Sequence, residues 1–66
     1  MKILVSGIER EFAEQLNVAS LLERDSIEAS GIAVAVNDFV VRKALWHERA
    51  LQDGDKVEIV RAVQGG

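Results

Sequence analysis

The chain has 66 residues, 48% of them apolar, and a formal net charge of -3. A length below about 70 residues permits one small core and no second one, and with no cysteine that core must form without a disulfide or a thiolate-bound zinc. Mild acidity argues against a nucleic-acid module, which carries a net basic surface; residues 1–33 hold 3 basic and 6 acidic side chains against 5 of each in residues 34–66, so the negative charge lies in the first half.

No stretch approaches the roughly 18 consecutive apolar residues of a spanning helix, and Met1-Lys2-Ile3-Leu4-Val5 runs into Ser6-Gly7 too early for a signal peptide. The expectation is a soluble, cytoplasmic chain with neither a membrane nor a nucleic acid as partner. Lys2-Ile3-Leu4-Val5-Ser6 reads as a strand, and Gly7 separates it from a more polar run, Glu9-Arg10-Glu11-Phe12. A glycine there supplies the positive φ of a tight turn, so the two runs predict a hairpin. Asn17 is a good N-cap, and Val18, Leu21 and Leu22 recur at i, i+3, i+4, predicting a helix of about two to three turns with one apolar face. Leu16 and Leu21 occupy the two positions of a hydrophobic staple.

Ala33-Val34-Ala35-Val36-Asn37 has the bounded, β-branched character of a buried strand, and Val40-Val41 suits a brief edge pairing. Gln52-Asp53-Gly54-Asp55 is a turn signal, and it launches the longest strand candidate, Lys56 to Val63. Val57 and Ile59 alternate with Lys56 and Glu58, but past Ile59 the alternation loses phase, which fits either a bulge or a second apolar face covered by a partner. The order is strand, strand, helix, strand, short strand, strand. One helix covers one face of a sheet and leaves the other to solvent or a partner.

Most catalytic constellations are excluded by inventory. His47 is the only histidine, and neither a Gly-x-Gly-x-x-Gly nor a phosphate-cradling loop occurs. Asp53-Gly54-Asp55 is too short for a calcium loop and reads as a turn. Glu9, Glu11 and Glu14 lie in a polar arm, where a solvated face is the simpler reading than a carboxylate pair with a raised pKa. His47, between Trp46 and Glu48, reads as a surface residue, and Trp46 as packing over the end of the sheet. No metal site and no bound cofactor is expected.

What remains is the ending Val63-Gln64-Gly65-Gly66, which divides the chain into a domain of residues 1–63 and a flexible tail of residues 64–66. The plain reading is a frayed end. The functional one has a physical basis: three extended residues reach about 10 Å, enough to enter a partner's active site while the body stays outside. Glycine has no side chain to clash with a narrow channel. The α-carboxylate is ionised at neutral pH, so it can attack the α-phosphorus of ATP held by a partner and form an acyl-adenylate. Adenylation gives an otherwise inert carboxylate a leaving group.

Asn17-Val18 with Leu21-Leu22, Ala33-Val34-Ala35-Val36-Asn37, Trp46, Gln52-Asp53-Gly54-Asp55 and Val60-Arg61-Ala62-Val63-Gln64-Gly65-Gly66 together resemble the ThiS family, sulfur carriers of bacterial thiamin biosynthesis. The likeness runs over nearly the whole chain. Family members often carry Asn-Gly and a proline where this sequence has Asn37-Asp38-Phe39-Val40-Val41-Arg42, so that segment departs from the pattern. The resemblance implies an α+β, ubiquitin-like β-grasp fold: a mixed four- to five-stranded sheet, one helix on one face, and a flexible Gly-Gly tail. It further implies that Gly66 is adenylated by a ThiF-like, ATP-using enzyme and converted to a thiocarboxylate with sulfur from a cysteine-desulfurase persulfide. A ThiG-like thiazole synthase then takes the sulfur. The slim tail itself suggests that Gly65 and Gln64 would thread the partner's active site, and because one helix covers only one sheet face, Val60 and Ala62 are expected to stay exposed as a docking surface. The chain would be a carrier and co-substrate, not an enzyme. Alternatives of related chemistry are a carrier for another pathway, such as the small subunit of molybdopterin synthase, and a covalent protein modifier; a plain β-grasp interaction module is a third.

Overall fold

The computed structural model describes residues 1–61. Five strands and one helix follow the expected order: β1 (Lys2–Val5), β2 (Ile8–Glu11), α1 (Val18–Arg24), β3 (Ile32–Val36), β4 (Phe39–Val41), a single 3₁₀ turn (Lys43–Leu45), and β5 (Lys56–Arg61). They form one mixed sheet, ordered β2-β1-β5-β3-β4, in which β1 and β5 are parallel and the remaining neighbours antiparallel. This is the β-grasp arrangement, with the last strand at the centre.

Both hairpins close through two-residue turns with positive φ at both central positions, the geometry that matches the right-handed twist of flanking strands. In the first, Ser6 (φ 50°) and Gly7 (φ 83°) join Val5 to its partner Ile8. In the second, Asn37 (φ 52°) and Asp38 (φ 72°) join Val36 to Phe39. Asn37, expected at the end of β3, therefore belongs to the turn, and Asn-Asp performs it without the usual glycine.

Seven residues make α1, the short end of the expected length, and its first turn is fully satisfied. Ser20 N–H donates to Asn17 Oδ1 at 2.7 Å and Asn17 N–H donates back to Ser20 Oγ at 2.8 Å, a reciprocal cap. Val18 N–H reaches Arg49 O at 3.0 Å and Ala19 N–H reaches Trp46 O at 3.2 Å. The segment after β4 thus takes the donors a helix leaves orphaned. At the other end Ser26 (φ 55°) adopts the left-handed conformation, Ser26 N–H bonds Glu23 O and Ile27 N–H bonds Leu22 O, a Schellman closure made with serine in place of glycine.

The apolar face of α1 (Val18, Ala19, Leu21, Leu22) packs on the sheet face formed by Ile3, Val5, Val34, Val36 and Val57. Leu16 and Leu21, the staple pair, both join this core, as does Leu51. Trp46 is buried in it as well, and its indole N–H donates to Val41 O at 2.8 Å, at the end of the edge strand β4. No helix among the described residues is long and apolar enough to cross a membrane.

Candidate functional site

The strand that leads to the Gly-Gly pair is launched by residues 52–55, and the carboxylate of Asp55 organises that launch. Asp55 is buried; its Oδ2 accepts from Gln52 N–H at 2.8 Å and its Oδ1 from Asn37 Nδ2 at 2.9 Å. Asn37 in turn accepts Lys56 N–H at 2.9 Å through its own Oδ1, and donates its N–H to Lys56 O at 2.8 Å. Asp53 Oδ1 accepts Lys2 N–H at 2.6 Å and Gly54 N–H reaches Lys2 O at 2.7 Å, tying the same turn to the start of β1. The 37–38 turn, the 52–55 turn and β1 therefore meet where β5 begins. Sequence reading took residues 52–55 as a turn alone; the network depends on residues 18 positions apart, which no local pattern reveals.

From there β5 runs through the sheet in unbroken register with β3, from Val36↔Val57 to Ile32↔Arg61. Among the described residues there is no bulge, and the apolar Val60 that breaks the alternation stands on the second face of the sheet. Val57 is buried against the helix, Ile59 is half-buried, and Val60 points to the opposite face with 58% exposure. Register places Val60 beside Ala33, and Ala35 beside Val40, on that outer face; Val40 is 73% exposed. Val60, Ala33, Ala35 and Val40 thus form an apolar corner, bordered by Glu58 across from Ala35. Beside it, around the edge strand, Phe39, Val40, Val41 and Leu45, together with Glu48 and Arg49, line an open groove of about 410 Å³.

Of the residues expected to function, Val60 lies on the exposed face as anticipated. Ala62, Gln64, Gly65 and Gly66 fall outside the described residues. Val40 was read only as an edge pairing, and Phe39 was not singled out. A three-residue edge strand with three consecutive apolar side chains cannot hide all of them, and that was the available signal.

The acidic arm is a charge lattice. Glu9 and Glu11 face outward opposite Leu4 and Lys2, while Glu14 accepts from Arg24 at 3.1 Å. Arg10 pairs with Asp25 at the helix C-cap, and that hydrogen bond holds the guanidinium above its ordinary pKa. Both arginines lie over the Phe12 ring, at 4.9 and 5.4 Å from its centroid. His47 is exposed, as expected of a surface residue. Among the described residues, no three His, Asp or Glu side chains group closely enough to hold a metal ion.

A sheet of this order, whose central last strand leads into Gln64-Gly65-Gly66, is matched from residue 3 through residue 66 by the model of the ThiS family. The chain belongs to the ThiS family. The crystal structure of ThiS from Geobacter metallireducens superposes with a TM-score of 0.89 at 30% identity, each chain covered in full. The sulfur carrier protein ThiS of Escherichia coli is 30% identical over all 66 residues of both proteins. A thiazole synthase of Paramagnetospirillum magneticum is 36% identical to the whole chain, which spans 20% of its length.

Proposed function

We propose that this protein is the sulfur carrier of thiazole formation in thiamin biosynthesis, with Gly66 as the residue that is loaded. The observation that carries the reading is the family match, which continues past the described residues through Gly65-Gly66. In the proposed cycle a ThiF-like enzyme binds ATP, and the Gly66 carboxylate displaces pyrophosphate to form the acyl-adenylate. A desulfurase-derived persulfide attacks the acyl carbon and AMP leaves. Thiol cleavage of the resulting S–S bond leaves the thiocarboxylate. A ThiG-like synthase accepts the sulfur, and the Paramagnetospirillum relative, a thiazole synthase that includes a region similar to this whole chain, supports that pairing. The carrier binds no cofactor of its own in this scheme and performs no catalysis.

The fold supports the role physically. A central strand is anchored along β3 and clamped at its start by Asp55 and Asn37, so the path towards Gly66 begins from a rigid base. Gly65 and Gln64 would occupy the partner's channel, while the outer corner around Val60 docks against the partner's surface, with Ala62 as a further proposed contact. Removing exposed apolar area of this kind from water is the usual driving force for such docking. Intact mass spectrometry after incubation with the ThiF-like enzyme, ATP, desulfurase and cysteine tests the reading. The expected product is heavier by the exchange of one oxygen for sulfur. An unchanged mass with a demonstrably active enzyme would refute the carrier role, and an isopeptide adduct to a second protein would favour a covalent modifier.

A further inference from the structure

The two edges of β5 are used very differently. Along one edge all of residues 57–61 pair with β3. Along the other, β1 supports only the beginning: its register ends at Val5↔Val57, and the last contact is Ser6 N–H to Val57 O at 2.9 Å before the chain turns away at Gly7. The direction of each backbone group follows from one bond. Asn37 N–H donates to Lys56 O, so Lys56, Glu58 and Val60 address β3, and in an antiparallel ladder the alternate residues address the opposite side. The N–H and C=O groups of Val57, Ile59 and Arg61 therefore face β1. Val57 is met by Ser6; Ile59 and Arg61 meet no backbone group on that side among the described residues. The Arg61 side chain, likewise, is paired with no carboxylate among the described residues.

An open stretch of strand is a template for another strand. This one is three residues long, too short to hold a partner by itself, and it sits where the chain departs for residues 62–66. Those five residues, if extended, reach about 17 Å beyond Arg61, so a segment laid against residues 59–61 lies alongside the start of that path. A second copy pairing through the same edge would bring two Arg61 side chains together, which charge repulsion opposes.

We propose that an extended segment of the adenylating enzyme adds to β5 in the place β1 vacates, bonding the backbone of Ile59 and Arg61 and setting a carboxylate opposite the Arg61 guanidinium. This rests on the reading that the chain delivers Gly66 to such an enzyme, and it adds the device that aims the delivery. The added strand fixes both direction and register before the tail enters the channel.

Arg61→Ala and Arg61→Pro separate the contributions. Alanine removes the side chain; proline also removes an N–H that no residue of β3 uses, a position where proline is tolerated in a sheet. Measured by calorimetric titration into the cognate ThiF-like enzyme with a non-hydrolysable ATP analogue, R61P is expected to bind about 5- to 10-fold more weakly than R61A. The two variants should melt within a few degrees of each other. Hydrogen exchange on the unsubstituted protein gives the same answer without a variant: the Ile59 and Arg61 amides should exchange freely alone and at least about tenfold more slowly in the complex. Equal binding by R61P and R61A, or unslowed exchange at both amides, overturns the strand addition while leaving the carrier function standing if Gly66 is still loaded. Failure of the unsubstituted chain to be adenylated overturns both. Slowed exchange that appears with protein concentration and no enzyme would assign the edge to self-association and overturn the proposal.

Discussion

Asp55→Ala should unfold this protein far more readily than a surface substitution, although Asp55 touches no proposed reaction site. Asp55 is 7% exposed, and its carboxylate accepts two hydrogen bonds, from Gln52 N–H at 2.8 Å and Asn37 Nδ2 at 2.9 Å. Bonds to a charged acceptor contribute about 1.5–3 kcal/mol each. Asn37 is exposed and can turn to water, which roughly halves the loss on that side. The ion pair to Arg49 at 3.7 Å, with the arginine 36% exposed, adds about 0–1 kcal/mol. The expected loss is about 2–5 kcal/mol, a large share of the ~3–10 kcal/mol available to a chain of this size, or about 10–40 °C in Tm. Asp55→Asn keeps one acceptor oxygen and turns a donor toward the second donor, so it should lose at least half as much. Trp46 is the single tryptophan and is buried, so its fluorescence reports the transition in urea or on heating. A Tm shift of less than about 3 °C for Asp55→Ala would refute the argument that this carboxylate holds the entry to β5.

Ser26→Gly should stabilise the fold by about 0.5–1 kcal/mol, because the Schellman position has φ 55° and glycine pays no Cβ penalty there; a lower urea midpoint would contradict it. Val60→Asp should change stability by less than about 1 kcal/mol, since the side chain is 58% exposed, yet weaken binding to the adenylating enzyme by about tenfold or more. Unchanged affinity would show that the docking face lies elsewhere. Gly65→Val should abolish adenylation, followed by pyrophosphate release, while thermal unfolding stays as in the parent protein. A normal adenylation rate would refute the narrow channel.

Much of the fold is local in origin and was legible. Alternation in Lys56 to Ile59, the cap at Asn17 with its apolar i, i+3, i+4 face, and the turn residues at Gly7 and Gly54 each act over a few positions, where side-chain chemistry directly biases φ and ψ. The order of strands and helix along the chain and the single covered face followed from them. The Gly65-Gly66 pair was singled out by residue type, its adenylation was argued from the terminal carboxylate, and its sulfur role came from the family resemblance.

Other features depend on which distant segments meet, and there local pattern has nothing to say. Ser26 takes a glycine's conformation because Ile27 is drawn into the core behind it. Asn37 and Asp55 form one network only because two turns meet at the head of β5. Val40 joins Val60 in an exposed corner because register across β3 sets them on one face. The bare edge at Ile59 and Arg61 exists because β1 is shorter than the strand beside it. Propensity acts between sequence neighbours, whereas register, burial and the pairing of backbone groups are settled when the elements pack.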